Sequence, residues 1–187
     1  MFQARRIHHC PTCGGPTEYR IPADDNRERA TCSVCGTVHY ENPLNVVGTL
    51  PVWGDGPDAP VLLCRRAIEP RLGKWTLPAG FMELGETLAQ GAARETDEEA
   101  GAPIELQNLY CVLNVVRVGQ VHLFYRARLL SPEFNPGPET LEARLFREQE
   151  LPWDELAFHT VRETLQRFFA DRRAGRLDYP LHCADIA

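Results

Sequence analysis

Residues 80–102, GFMELGETLAQGAARETDEEAGA, constrain the fold more than any other stretch of this chain. Glu86, Arg94, Glu95, Glu98 and Glu99 fall within 14 residues, and a helix accounts for their spacing. Thr87 stands where an N-cap is needed, and Gln90, three residues on, completes a capping box. Gly101 suits the left-handed position that closes a helix, and Pro103 follows it. At about 100° per residue, Glu95, Glu98 and Glu99 share one face, and Ala89, Ala93, Thr96 and Ala100 share another. The small face is expected to lie against a sheet, leaving the acidic face free. Carboxylates three and four residues apart repel one another, so this helix is worse off alone than an ordinary surface helix. A divalent cation removes that penalty, and hard oxygen ligands suit Mg²⁺ or Mn²⁺. A solvated acidic face is the plain alternative for such a charge run.

A second constraint lies near the amino terminus. Cys10-Pro-Thr-Cys13 and Cys32-Ser-Val-Cys35 are two C-x2-C knuckles separated by 18 residues. That spacing is a zinc pattern, and four thiolates make a closed tetrahedral site with no open position. Gly14 and Gly36 follow the second cysteine of each pair, where the turn needs positive φ. A segment of about 40 residues buries too little apolar surface to fold alone, so a structural zinc offsets the deficit. His8, His9 and His39 flank the knuckles and are expected to be surface residues. The intervening EYRIPADDNRERA is mixed in sign with one aromatic, unlike a nucleic-acid reader.

Function classes narrow further with charge and hydropathy. The net charge of −6 argues against a surface that coats nucleic acid. No apolar run approaches the roughly 20 residues that span a bilayer, so no membrane partner is expected. MFQARRIHHC lacks the apolar stretch of a signal peptide. Seven cysteines, four at metal spacing, imply a reducing, cytoplasmic setting. Cys64, Cys111 and Cys183 are read as fillers or tail.

Asn42-Pro43 marks a boundary between a zinc ribbon, 1–42, and a larger domain, 43–187. NVVGTLPVW and PVLLCRRA read as strands joined by the hairpin loop GDGPDAP. IEPRLGKW is a loop, and TLPAGF leads directly into the acidic helix. LYCVLNVVRV and QVHLFYRARLL form another strand pair across Gly119-Gln120. SPEFNPGPETLE reads as a loop and ARLFREQEL as a last short strand. WDELAFHTVRETLQRFFADRRAG is an amphipathic helix with Leu156, Phe158, Val161, Leu165, Phe168 and Phe169 on its apolar side. The tail RLDYPLHCADIA carries no signal. Strands interleaved with two helices predict an α/β/α sandwich with a mixed sheet.

Residues 80–102 fit G-x5-E-x7-R-E-U-x-E-E-x-G-U, with U bulky and aliphatic, at Gly80, Glu86, Arg94, Glu95, Glu98, Glu99 and Gly101. The stretch therefore resembles the Nudix box, the signature of hydrolases that cut nucleoside diphosphates linked to another moiety. Thr96 and Ala102 depart from it, being small at bulky positions. The resemblance covers roughly residues 43–172 and implies the same sandwich. It implies Glu95 and Glu99 as metal ligands, joined by a backbone carbonyl near Ala79 and Gly80. Glu98 is a third ligand or the base for water, and Arg94 pairs with Glu86 to fix the glutamate face. Glu139, with Glu142 behind it, is a candidate further carboxylate. Arg65, Arg66, Arg71 and Lys74 are candidates for substrate phosphates. Tyr40, Trp53, Phe81, Phe124 and Phe134 are available to stack on adenine.

The ribbon, HYENP, GKWTLPAGFMELGETL and EARLF resemble a zinc-ribbon branch of ADP-ribose and FAD diphosphatases, close to the NADH pyrophosphatases. The latter carry an S-Q-P-W-P-F-P-x-S array after the box, and residues 111–130 contain nothing like it. The expectation is a Mg²⁺- or Mn²⁺-dependent pyrophosphohydrolase of ADP-ribose or FAD, releasing AMP. An NADH diphosphatase is the alternative. A zinc-ribbon module that binds RNA or protein beside an inactive Nudix domain is the reading from another class. A small dinucleotide or nucleotide sugar is the expected partner, with nucleic acid disfavoured and a homodimer in keeping with the family.

Overall fold

The computed structural model describes residues 6–176 and 178–186. Residues 1–5 of the ribbon segment, and Leu177 and Ala187 of the tail, lie outside the described residues. The chain divides into two compact units between Pro43 and Leu44.

The first unit is a three-stranded antiparallel sheet of β1 (Thr17–Arg20), β2 (Arg29–Cys32) and β3 (Val38–His39). Each knuckle is closed by a backbone bond to its first cysteine: Gly14 N–H donates to Cys10 O at 2.8 Å and Gly36 N–H to Cys32 O at 3.1 Å. Both glycines have φ near +75°, as these turns require.

The second unit contains β4 (Leu44–Val52), β5 (Val61–Arg66), β6 (Trp75–Thr76), β7 (Ala79–Phe81), α1 (Leu88–Ala100), β8 (Ile104–Val115), β9 (Gln120–Leu129), β10 (Thr140–Phe146), α2 (His159–Arg173) and β11 (His182–Asp185). The sheet runs β10-β5-β4-β9-β8-β11, with β6 on β5 and β7 on β4. β4–β9 and β8–β11 are parallel and the other pairs antiparallel, so the sheet is mixed, as the sequence predicts. Val161, Leu165, Phe168 and Phe169 form the α2 stripe. They pack on Leu50, Val61, Leu63 and Phe124 of one sheet face. α1 covers the opposite face, where Ala92 and Ala100 meet Val47, Leu62 and Leu123.

Several local expectations shift. The TLPAGF stretch supplies β6 and β7 instead of a plain lead-in. The expected last strand begins earlier, at Thr140, and stops at Phe146; Glu148–Glu150 turns as a 3₁₀ helix. Leu156 and Phe158 precede α2, because Ala157 N–H bonds to Trp75 O at 2.8 Å and holds that segment along β6. The tail, uninformative as sequence, adds β11 at the sheet edge.

Asp171 explains how so polar a tail is retained. Its carboxylate is buried and accepts from Tyr110 Oη at 2.9 Å, His182 Nε2 at 2.6 Å and Arg176 Nε at 2.8 Å. Burial alone would raise its pKa. The bonds from His182, Arg176 and Tyr110 outweigh burial and hold it below the ordinary aspartate value. A depressed carboxylate contributes stability above its unfolded pKa and loses it as pH falls through the folded one. Asp171→Asn is therefore expected to cost about 3 kcal/mol at neutral pH in urea titrations. The deficit against wild type should shrink below about pH 4. Equal stability of variant and wild type at pH 7 would refute this clasp.

Candidate active site

The site forms where the sheet parts. β4 and β5 pair only at Val52↔Val61; away from that point β5 pairs with β6, and β4 with β7. β7 lies close on β4 because Gly48 has no side chain. A Cβ there would come within 2.3 Å of the Ala79 Cβ. Above this opening α1 is set by its caps: Gln90 N–H donates to Thr87 Oγ1, the Gln90 side chain accepts from Thr87 N–H, and Gly101 is left-handed. Thr96, small where the box has a bulky residue, donates to Ala92 O at 2.8 Å and takes a bond from buried Thr49 at 2.6 Å. That pair satisfies both hydroxyls and draws the helix against β4.

The helix is rolled differently from the expectation. Its buried residues are Gly91, Ala92, Glu95, Thr96, Glu99 and Ala100, whereas Ala89 and Ala93 are only half-buried. Glu95 and Glu99 thus point inward at β7, whereas Asp97 and the Glu98 side chain, the latter 57% exposed, stay at the surface. Glu99 accepts from Ala79 N–H at 3.2 Å. A Cβ on Gly80 would sit 2.3 Å from the Glu95 carboxylate, so only glycine allows the backbone this near. Burial raises both glutamates above the ordinary carboxylate range, Glu99 to about 8.

Arg94 ties the group together. Its guanidinium grips Glu86 through Nε at 3.0 Å and Nη2 at 2.9 Å, and Nη1 reaches Glu95 at 2.8 Å and Glu98 at 3.0 Å. Nη2 also donates to Phe81 O at 3.2 Å. Glu86, holding Arg94 and the Glu83 N–H, is pulled down to about 2. Gly91 makes room for it, since a Cβ there would lie 2.5 Å from a Glu86 oxygen.

These groups floor a cavity of about 750 Å³. Its walls include Arg66, Glu139 and Phe81, together with residues the motif reading missed: Ile68, Phe158 and His122. In the sequence Phe158 belongs to an apolar helical stripe and His122 to a strand, so nothing local marks either. Arg65 and Lys74 are not in the wall. Neighbouring strand residues point to opposite sides, and Arg65 turns away to bond Gly73 O at 3.0 Å. Glu142 likewise sits opposite Arg65 on β10, off the cavity. Phe124 is in the core at 1% exposure and cannot stack on a ligand, and Trp53 and Phe134 pack on a separate apolar cluster.

The residues fit a divalent metal. Glu95 and Glu99, inward and desolvated, with Glu139 near enough to raise both their pKa values, offer hard oxygen donors that could hold a divalent cation. In the first unit the Sγ atoms of Cys10, Cys13, Cys32 and Cys35 lie within 4.8 Å of one another, as a four-thiolate zinc site needs. His8, His9 and His39 do not belong to that cluster.

Fold and site together define an α/β/α sandwich whose parted sheet carries a carboxylate-floored cavity. A family model described as NUDIX domain matches residues 43–168, and a Nudix N-terminal zinc-ribbon model matches 8–41. The chain belongs to the Nudix hydrolase family. A crystal structure of a Nudix hydrolase from Nitrosomonas europaea is similar at 48% identity and TM-score 0.89, over 96% of this chain and 99% of that one. The NAD-capped RNA hydrolase NudC of Stutzerimonas stutzeri is 31% identical over 169 residues, 89% of this chain and 57% of its own. NudC of Vibrio atlanticus is 35% identical over 111 residues, 58% of this chain and 36% of its own. The chain thus spans about a third to just over half the length of these curated relatives. No helix among the described residues is long and apolar enough to cross a membrane.

Proposed function

We propose that residues 43–187 hydrolyse the pyrophosphate bond of an ADP-linked nucleotide, ADP-ribose or FAD, releasing AMP. The observation that carries this reading is the inward Glu95–Glu99 pair against Ala79 and Gly80 at the floor of a cavity of about 750 Å³. Glu95, Glu99 and the backbone carbonyls near Ala79 and Gly80 would hold Mg²⁺ or Mn²⁺, with Glu139 closing the set. When bound, the metal neutralises phosphate charge and lowers the pKa of water. Glu98, which lines the cavity and is mostly exposed, takes the proton of the attacking water as base. Arg94 keeps Glu98 and Glu95 in position from Glu86. Arg66, whose Nε bonds Pro70 O at 2.8 Å, turns its remaining donors to the phosphates. Phe158 and Phe81 offer apolar surface to the base or the far half, and His122, neutral because burial lowers its pKa to about 4, adds no charge. The free cysteines and the thiolate cluster suit a reducing, cytoplasmic compartment.

A second reading, cleavage of NADH or of an NAD-type cap on RNA, is favoured by the relatives named NAD-capped RNA hydrolases. All these substrates present the same bond, so discrimination rests on contacts to the two halves. The rim loops at Ile68–Pro70 and Pro138 leave the cavity open, which suits far halves as different as ribose phosphate and FMN. A panel at one metal concentration is expected to give higher kcat/KM for ADP-ribose or FAD than for NADH, with AMP found by chromatography in each case. A preference for NADH of about tenfold, 1.4 kcal/mol in transition-state binding, would select the second reading. Nucleoside triphosphates as the main substrates would exclude both.

A further inference from the structure

The α2 face carries a second cavity, of about 380 Å³, between the Gly54–Pro57 loop, Arg126 of β9 and Phe168, Arg172 and Tyr179. Neither arginine has a carboxylate partner among the described residues. The Nε of each is buried with no hydrogen-bond partner there. Arg126 lies over the Tyr179 ring, its Cζ 3.7 Å from the centroid, and Arg172 lies over Phe168 at 4.4 Å. Arg172 Nη1 is held by Ala59 O at 2.7 Å and Pro57 O at 3.2 Å. Arg126 reaches Asn108 Oδ1 only at 3.5 Å. Burial and the neighbouring Arg172 charge both lower the Arg126 pKa, while Tyr179 and Tyr110 oppose them.

Two guanidiniums sharing a small cavity repel each other, and each leaves donors unused that water must otherwise satisfy. Cation–π contact with the rings holds the guanidiniums in place without using those donors. Rigid forks of this kind match the paired oxygens of phosphate and carboxylate anions, and two cations facing one cavity favour the more highly charged phosphate. We infer that this cavity is an anion site for a phosphate group, inorganic or on a small phosphomonoester, separate from the Glu95–Glu99 cavity. The inference stands whether or not ADP-linked nucleotides are the substrate. Asp55 also lines the cavity and opposes an anion there, so the two arginines must outweigh it.

The test is calorimetric titration of the full chain, without divalent metal, with inorganic phosphate, AMP and ribose 5-phosphate at constant ionic strength. Saturable phosphate binding is expected in wild type and in Glu99→Gln. Arg126→Gln and Arg172→Gln should each weaken it by about tenfold, the scale of one charge-assisted bond. Arg126→Lys, which keeps the charge and loses the fork, should also weaken it. Tighter AMP or ribose 5-phosphate binding would identify a phosphomonoester as the ligand, and equal affinity would identify the phosphate alone. Absence of binding beyond a chloride control would overturn the inference. So would unchanged affinity in all three folded arginine variants, or loss of binding in Glu99→Gln.

Discussion

Glu99→Gln is expected to lower kcat for diphosphate hydrolysis by two or more orders of magnitude, and Glu98→Gln by a similar factor, while the fold survives. Losses on that scale accompany removal of a metal contact or a general base. The two variants should part company in stability. Glu98 is mostly exposed, so its amide changes little. Glu99 is buried, with its pKa raised to about 8 by desolvation first and by Glu95 and Glu139 after it. A raised carboxylate contributes stability at low pH and loses it as pH climbs through the folded value. Metal-free wild type should therefore weaken between about pH 4.5 and pH 8. Glu99→Gln keeps the shape of the protonated acid and should flatten that decline. Added Mg²⁺ should restore wild type and not Glu99→Gln, since binding to the folded state alone stabilises it. Thermal melts across pH with and without chelator, beside initial rates, decide the matter. Wild-type rates in both variants would sink the metal-helix assignment.

Purified protein is expected to hold one tightly bound zinc per chain, and Cys32→Ala to lose it and unfold the ribbon. The thiols of Cys10 and Cys35 stand 3.7 Å apart and those of Cys13 and Cys32 3.5 Å. Val34 and Cys35 N–H groups both point at the Cys32 sulfur, at 3.4 Å. That sulfur would be a ligand and also the anchor of its own knuckle. The ribbon's strands are four, four and two residues long, with little apolar surface between them. Zinc binding of about 10–16 kcal/mol is the main term holding such a module. Amide spectra of Cys32→Ala should lose dispersion for residues 6–43 and keep it in the catalytic unit. Metal-free protein with a fully dispersed ribbon would contradict this account.

The capping box at Thr87 and Gln90, the left-handed Gly101, the cysteine knuckles and the alternating strands were all legible in the sequence, because each rests on interactions between residues close in the chain. The mixed sheet followed from the order of those elements. The roll of α1 was not legible. Glu95, Glu98 and Glu99 lie on one face by angle, yet Gly48, Gly80 and the Thr49–Thr96 bond decide that two of them turn inward and one does not. Arg65 and Arg66 are equal as letters, and strand alternation separates them only once β5 has a neighbour on each side. β11 depends on Asp171 meeting Tyr110 and His182 across 61 and 11 residues. The cavity walls at Phe158 and His122, and the paired arginines at 126 and 172, exist only after distant segments converge. Local periodicity specifies which elements form and which chemistry they carry. Burial, and the charge balance that burial enforces, is a property of contacts between elements, so only the tertiary structure decides which carboxylate is desolvated and which cation lacks a partner.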